Sequence, residues 1–126
     1  MSRIYRSSDP SFPIPEQSIF THVFSKSIDL KLLAYIDALT GFTLSIGDVR
    51  SQSLQLAWGL GKILGQKRGS TIALFSPNSV VWPVVLLGGI AAGLRVTTIS
   101  SSFTPSEILP QLEACQQDFD RIKSLT

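Results

Sequence analysis

Ser70-Thr-Ile-Ala-Leu-Phe-Ser-Pro-Asn-Ser79, Val80-Val-Trp-Pro-Val-Val-Leu-Leu-Gly-Gly-Ile-Ala-Ala-Gly93 and Leu94-Arg-Val-Thr-Thr-Ile-Ser-Ser-Ser-Phe-Thr-Pro-Ser-Glu107 carry the reading that decides the fold. The first six residues favour a strand, and Ser76-Pro-Asn-Ser79 stops it with turn chemistry. Val80 to Ala92 is almost wholly apolar and long enough for a helix, which Gly93 closes. Leu94 to Ile99 is rich in β-branched residues, so a second strand follows. Two β-rich runs separated by a helix-length segment make a βαβ unit. Its strands lie parallel because the crossover returns the chain to the same end of the sheet. Thr104-Pro-Ser-Glu107 then opens another helix: an N-cap threonine, proline at the first helical position and a capping-box glutamate.

Outward from that unit the same rules apply. Ser45-Ile-Gly-Asp48 can form a capping box, and Val49, Leu56, Leu60, Ile63 and Leu64 recur mostly at helical steps, with Gly65 as a left-handed stop. Leu32 to Asp37 and Phe42 to Leu44 flank Ala38-Leu-Thr-Gly41, the pattern of two short strands joined by a tight turn. Ser18 is placed to cap a short helix through Phe24, with Ile19, Phe20, Val23 and Phe24 as its apolar face. Residues 1–17 hold Pro10, Pro13 and Pro15 among Ser and Asp and suggest an extended strap. In the last helix, Ile108, Leu109, Leu112 and Cys115 share a face, and Pro110 lies late enough to strain it. Past Gln117 the pattern changes, and Asp118 to Thr126 holds no β-rich run. The predicted architecture is α/β: a partial three-layer, parallel-sheet fragment. Strands near 71–76 and 94–99 are neighbours, with helices near 46–64, 79–92 and 105–116 around them.

Composition bounds what this fold can be asked to do. With 126 residues, 44% hydrophobic and 16% charged, the chain can bury one modest core. The net charge of +2 comes from scattered Lys and Arg, so no basic stripe points to nucleic acid. The run from Val80 to Leu94 falls short of the roughly 20 apolar residues of a membrane span and meets Arg95 at once. The N-terminus has no apolar core of a secretory signal. The single Cys115 makes no intrachain disulfide and no zinc cluster, and reads as a small half-buried helix residue. His22, the one histidine, reads as a surface or capping side chain.

Several motifs fail on inspection. Gly59-Leu-Gly61-Lys62 superficially suggests a phosphate loop, but Leu56 stands at the first glycine position and Ile63 at the hydroxyl position, mid-helix. Gly88, Gly89 and Gly93 end a helix where a dinucleotide fingerprint would begin one; close helix-on-sheet packing explains the first two and a C-cap the third. Ser100-Ser-Ser102 has the right topology for an anion site, yet without glycine or lysine nearby it reads as a polar turn. Asp37, Asp48 and Glu107 are explained by turns and caps. No residue is assigned a catalytic, cofactor-binding or metal-binding role.

Leu39-Thr-Gly-Phe-Thr-Leu-Ser45, Ala57-Trp-Gly-Leu-Gly61, Gly69 through Ser79, Trp82-Pro83, Leu87-Gly-Gly-Ile-Ala-Ala-Gly93 and Phe103-Thr-Pro-Ser-Glu-Ile108 are spaced landmarks in a fixed order. Together they resemble the start of the AMP-dependent synthetase and ligase family. They are similar in particular to fungal relatives of coumarate-CoA ligases, long-chain acyl-CoA synthetases and luciferases. The resemblance covers roughly residues 12–117.

The resemblance implies an adenylation enzyme, in which a carboxylate attacks the α-phosphate of Mg-ATP and the thiol of coenzyme A then displaces AMP. It also implies that ATP, Mg²⁺ and coenzyme A are used by a full-length relative. The phosphate loop, adenine pocket, metal site, ribose-binding Asp and catalytic Lys of that family all lie downstream of this stretch. The expected organisation is a strap over 1–17, a partial synthetase domain over 18–117 and a divergent tail over 118–126, as truncation, splicing or a mistaken gene model would give. The expected partner is the remainder of the synthetase domain, with self-association through an exposed sheet edge. The alternative is a non-catalytic α/β module that binds a partner or small ligand. An intracellular setting is expected, cytoplasmic or peroxisomal, although the sequence ends Lys-Ser-Leu-Thr and not in a peroxisomal Ser-Lys-Leu.

Overall fold

A computed structural model describes residues 13–25 and 27–123, with side chains described through Cys115. The elements are α1 (Ile19–Phe24), β1 (Leu33–Ile36), β2 (Thr43–Ser45), α2 (Ile46–Trp58) continued by a π-helical turn (Gly59–Ile63), β3 (Thr71–Phe75), α3 (Trp82–Ala91), β4 (Arg95–Ile99) and α4 (Pro105–Lys123). Of the strap expected over 1–17, residues 1–12 lie outside the described residues, as does the end of the chain from 124. α4 runs through the position near 117 where the sequence pattern changes.

The strands form two separate pairs. β3 and β4 are parallel neighbours in the register Thr71↔Arg95 through Phe75↔Ile99, as the βαβ reading requires. β1 and β2 are antiparallel around the Ala38–Gly41 turn, with an irregularity between Leu33 and Tyr35. The core lies between this hairpin, α2 and α3. Leu44, Val49 and Val84 are its buried centre, and Phe24, Ala34, Val80 and Leu87 pack around them.

The ends of the elements follow from local chemistry. The Ser45 hydroxyl accepts from the Asp48 amide at 3.1 Å, while the Asp48 carboxylate accepts from the Ser45 amide at 2.9 Å, so the predicted capping box is complete. At the C-terminus of α3, Gly93 adopts φ 76°. The Leu94 amide donates to the Gly89 carbonyl and the Gly93 amide to that of Ile90, the two bonds of a Schellman stop, and Leu94 is buried behind it.

α3 and α4 cover opposite faces of the β3–β4 pair. A Cβ on Gly89 would stand 2.6 Å from Val96 Cγ2 and 2.9 Å from Ile72 Cδ1, so α3 lies directly on that face. Gln111 Nε2 and Cys115 Sγ, both on α4, bond to Thr97 Oγ1 at 3.4 Å. Successive strand residues point to opposite faces, so Val96 and Thr97 assign the two helices to the two sides.

Four expectations about packing are corrected. Gly88 does not pack on the sheet: its Cβ would meet Leu56 Cδ2 at 2.9 Å and the Ser53 carbonyl oxygen at 3.0 Å, so it lets α3 approach α2. Ser53, fully buried at that crossing, donates to the Val84 carbonyl at 3.2 Å. The apolar stripe of α2 stops early; Ile63 and Leu64 are exposed, because the π-helical turn changes the angular step and none of the described residues packs on that end. In α1 Phe20 and Phe24 turn inward, their rings 4.8 Å apart, while Ile19 is exposed and Val23 stays at the edge of the packed face. In α4 the packed face is Ile108, Gln111 and Cys115, with Leu112 beside Cys115 over the strands; only Leu109 lies outside the predicted face.

Candidate functional site

In an open α/β sheet the ligand side is the crevice at the carboxyl ends of neighbouring strands whose connections leave to opposite faces. β3 and β4 meet that condition, since β3 leads into α3 and β4 into α4. The crevice is framed by Ser76-Pro-Asn-Ser79 and Ser100-Ser-Ser102. Much of the hydroxyl chemistry there is already engaged locally. Ser76 Oγ donates to the Pro77 carbonyl at 2.9 Å, and Ser100 and Ser102 share a hydroxyl bond of 2.8 Å. The Ser102 amide donates to Ser100 Oγ at 3.3 Å, and that of Phe103 to the Ser100 carbonyl at 3.1 Å. The polar turn predicted for Ser100–Ser102 is what forms.

A groove of about 470 Å³ opens at the other end of the same sheet, lined by Gly69, Ser70, Thr71, Ala73, Arg95, Leu112 and Cys115. Arg95 Nε donates to the Gly69 carbonyl at 3.0 Å, tying the starts of β3 and β4 together. Sequence reasoning used Arg95 only as the charge that ends an apolar run. It likewise missed Gln111, whose amide reaches the Thr98 carbonyl at 2.8 Å and anchors α4. Cys115 donates weakly to Thr97 at the groove's edge, the half-buried helix position expected of it.

The three carboxylates singled out in the sequence stand apart and each closes a local turn. Asp37 accepts from the Thr40 amide at 2.8 Å and the Leu39 amide at 2.9 Å; the Thr40 bonds most of all hold its carboxyl below the ordinary range. Asp48 is held low first by the Ser45 hydroxyl, at 2.6 Å, and then by the Ser45 amide. The Thr104 amide and hydroxyl, each 2.8 Å from Glu107 Oε2, do the same to Glu107. His22 lies on exposed α1, with Nδ1 2.7 Å from Gln17 Nε2. Among the described residues no group of three or more His, Cys, Asp or Glu is disposed to hold a metal ion. Gly59 to Lys62 is helical backbone with open space beside both glycines, which no phosphate loop resembles. The donor set described therefore does not fit a magnesium triphosphate, and no chemical step through ATP is assigned to these residues.

The fold is that of the N-terminal part of adenylate-forming enzymes. It superposes on ATP-bound MatB from Rhodopseudomonas palustris with a TM-score of 0.64 at 23% identity, over 72% of this chain and 18% of that one. The inhibitor-bound N-terminal domain of FACL13 from Mycobacterium tuberculosis gives 0.58 at 22% identity, over 71% of this chain and 21% of that one. Residues 29–119 match the AMP-binding enzyme family, and the chain belongs to it. It is 39% identical over 113 residues to 4-coumarate–CoA ligase 5 of Oryza sativa subsp. japonica, covering 88% of this chain and 21% of that protein. Against 4-coumarate–CoA ligase-like 6 of Arabidopsis thaliana it is 32% identical over 119 residues, covering 89% and 20%. Against the peroxisomal OPC-8:0-CoA ligase 1 of the same plant it is 32% identical over 108 residues, covering 86% and 19%. The chain thus spans about one fifth of the length of the curated relatives it matches.

Proposed function

We propose that this chain is the N-terminal part of an ATP-dependent acyl-CoA ligase, which joins a carboxylic acid to coenzyme A through an acyl-adenylate, and that it has no catalytic activity alone. The observation that carries the reading is the family match over residues 29–119 within a stretch one fifth as long as the ligases it resembles. The role left to these residues is architectural: they supply part of a parallel sheet and the polar turns at its carboxyl end. ATP, Mg²⁺ and coenzyme A are then bound by parts that full-length relatives carry elsewhere. The proposed partner is that remainder of the ligase. Among the described residues no helix is long and apolar enough to cross a membrane. We place the ligase inside the cell, in the cytoplasm or the peroxisome, the latter suggested by a relative named for that compartment.

The physical argument for inactivity is cooperative. Adenylation needs many preorganised donors around a charged phosphorus centre, and losing one such donor typically costs about 10² to 10³ in rate. With none assembled among the described residues, the purified chain is expected to show no ATP–pyrophosphate exchange with any carboxylic acid and no ATP binding by calorimetry. Carboxylate-dependent exchange that disappears on mutating one of the chain's own residues overturns the reading.

A further inference from the structure

Each outer edge of the β3–β4 pair presents a row of backbone groups, and the two rows differ. The Arg95 amide donates to the Ser70 carbonyl at 2.9 Å, and Thr71 stands opposite Arg95. In a parallel ladder this phase directs Ser70, Ile72 and Leu74 toward β4, and Arg95, Thr97 and Ile99 toward β3. The outward residues are therefore Thr71, Ala73 and Phe75 on β3, and Val96 and Thr98 on β4. On β4 the Thr98 carbonyl is already taken, since Gln111 Nε2 donates to it at 2.8 Å. On β3 none of the described residues bonds to the outward amides and carbonyls. That strand, Thr71-Ile-Ala-Leu-Phe75, also has neither the charge nor the proline that keeps natural edges from pairing.

Thr71, Ala73 and Phe75 share the face that α4 covers, because Ala73 is level with Thr97. There α4 leans over β4: Arg95 and Thr97 are half-buried, while Thr71, Ala73 and Phe75 are exposed. The β3 edge thus has unlike ends. At its amino end the groove of about 470 Å³ opens beside Thr71, under Leu112 and Cys115 of α4. At its carboxyl end Phe75 is 53% exposed. A strand that fills this groove has to carry a large apolar side chain opposite Thr71, and an antiparallel copy of β3 does so. With the two-fold axis through Ala73, Thr71 of each copy pairs with Phe75 of the other, and all the outward residues of both copies are used. Moving the axis to Ile72 sets Phe75 against Gly69, whose amide is bonded to the Gly93 carbonyl and whose carbonyl is bonded to Arg95. Moving it to Leu74 sets Thr71 against Pro77, which has no amide and whose carbonyl accepts from Ser76 Oγ. Only the axis at Ala73 leaves nothing unpaired.

We infer that the outer edge of β3 is a self-association site, at which two copies of this chain pair antiparallel about Ala73 and each lays its Phe75 over the groove between β3 and α4 of the other. The contact is isologous, so it closes on a dimer and does not propagate. It is also small. Two phenylalanines of about 150–250 Å² each, with one short strand edge per copy, stay below the roughly 1,200 Å² of a stable interface, so the dimer is weak and reversible. Such a dimer is a property of this chain by itself, independent of the ligase reading.

Sedimentation velocity of the 126-residue chain at rising concentration is expected to pass from one chain per particle to two. Amide exchange at Thr71, Ala73 and Phe75 is expected to slow in step, by about tenfold or more once the dimer prevails, with Val96 and Thr98 unchanged. Because the axis passes through Ala73, that residue meets itself. Ala73→Lys and Ala73→Glu each set like charges directly opposite one another, and each is expected to stay monomeric alone. Their equimolar mixture, in which opposite charges meet, is expected to regain the dimer as a one-to-one pair, a rescue that mere damage to the fold does not allow. Thr98→Lys, on the outward row of β4, is expected to dimerise like the parent. A parent chain still monomeric at about 1 mM, a mixture of folded variants no more associated than its components, or loss of the dimer in Thr98→Lys but not in Ala73→Lys each overturns the inference. Protection of the β3 edge that does not change with concentration assigns the edge to a segment of the same chain and overturns it as well. Where the charged variants fail to fold, exchange in the parent decides alone.

Discussion

Two pairs of glycines divide this molecule. In α3, Gly88 and Gly89 sit where an added Cβ would collide, one with the backbone of α2 and the other with the sheet. In the π-helical turn, Gly59 and Gly61 are also in helical backbone, yet nothing lies within 4 Å of either added Cβ. The first pair marks a finished interface and the second marks a surface with no partner among the described residues. The apolar residues agree with the glycines. Val84, beside the first pair along the helix, is buried, whereas Trp58, Ile63 and Leu64 around the second pair are 62%, 71% and 65% exposed. An apolar side chain indicates burial only where a second element comes close enough to exclude water. The end of α2 and the hairpin, with Leu33, Ile36, Leu39 and Phe42 exposed, have the composition of an interior without its covering.

The largest expected effect comes from breaking the first region. Gly88→Val places a β-branched side chain against the Ser53 carbonyl, which can give way only if α2 and α3 separate. Overpacking of this kind costs about 1–3 kcal/mol, and the rigid backbone on the far side puts this case near the top of that range. Urea denaturation of the purified variant checks it. A midpoint indistinguishable from that of the parent would show that the two helices are not in contact as described.

The contrast between the two glycine pairs also explains how much could be read from sequence. The βαβ unit was legible because its signals are local: β-branched runs, a turn of Ser, Pro and Asn, a glycine stop, and Thr104 with Pro105 and Glu107 at the next helix start. The caps were legible for the same reason. What could not be read was the partner of each face. Gly88 could have served the sheet or a helix, and only the crossing at Ser53 decides. Leu109 promised the inner face of α4 but is exposed, and the helix is held by Gln111 and Cys115, whose polar bonds to Thr97 and Thr98 no hydrophobic count reveals. The stripe over Ile63 and Leu64 failed because the helix changes period there. Among the candidate residues, the turn and cap roles of Asp37, Asp48 and Glu107 were legible from spacing alone, while the clamp of Arg95 on Gly69 required the register of two strands.

The second region gives a smaller effect of opposite sign. Gly61→Ala should stabilise the isolated chain by about 0.5–1 kcal/mol, since alanine loses less conformational entropy in helical backbone and here meets no neighbour. A thermal midpoint that rises in Gly61→Ala and falls in Gly88→Val would sharpen the comparison to a single residue type. A fall in both would mean that the open space beside Gly61 is occupied, for instance by a second copy of the chain.

The smallest effect belongs to neither region's packing, because it is set within single turns. Asp37, Asp48 and Glu107 all accept bonds that favour their charged forms, so each has a carboxyl pKa below its value in the unfolded chain. For such a group the stabilisation is fully present above the unfolded pKa and is lost as pH falls through the folded one. Melts recorded from pH 7 downward should therefore be flat until the ordinary carboxylate range and decline below it. Asp48→Asn should lower the midpoint at pH 7 and converge on the parent at the acid end, because protonation removes from the parent what the variant already lacks. Glu107→Gln tests the boundary between the regions more finely. Asp48 opens α2 directly before buried Val49, so its loss should appear in the global melt. Glu107 opens a helix whose first turn is exposed, so its loss should reduce helical circular dichroism before it moves the midpoint. Equal shifts in the global melt from both variants would show that α4 melts together with the α2–α3 core, and the division drawn by the glycines would then lie within one cooperative unit.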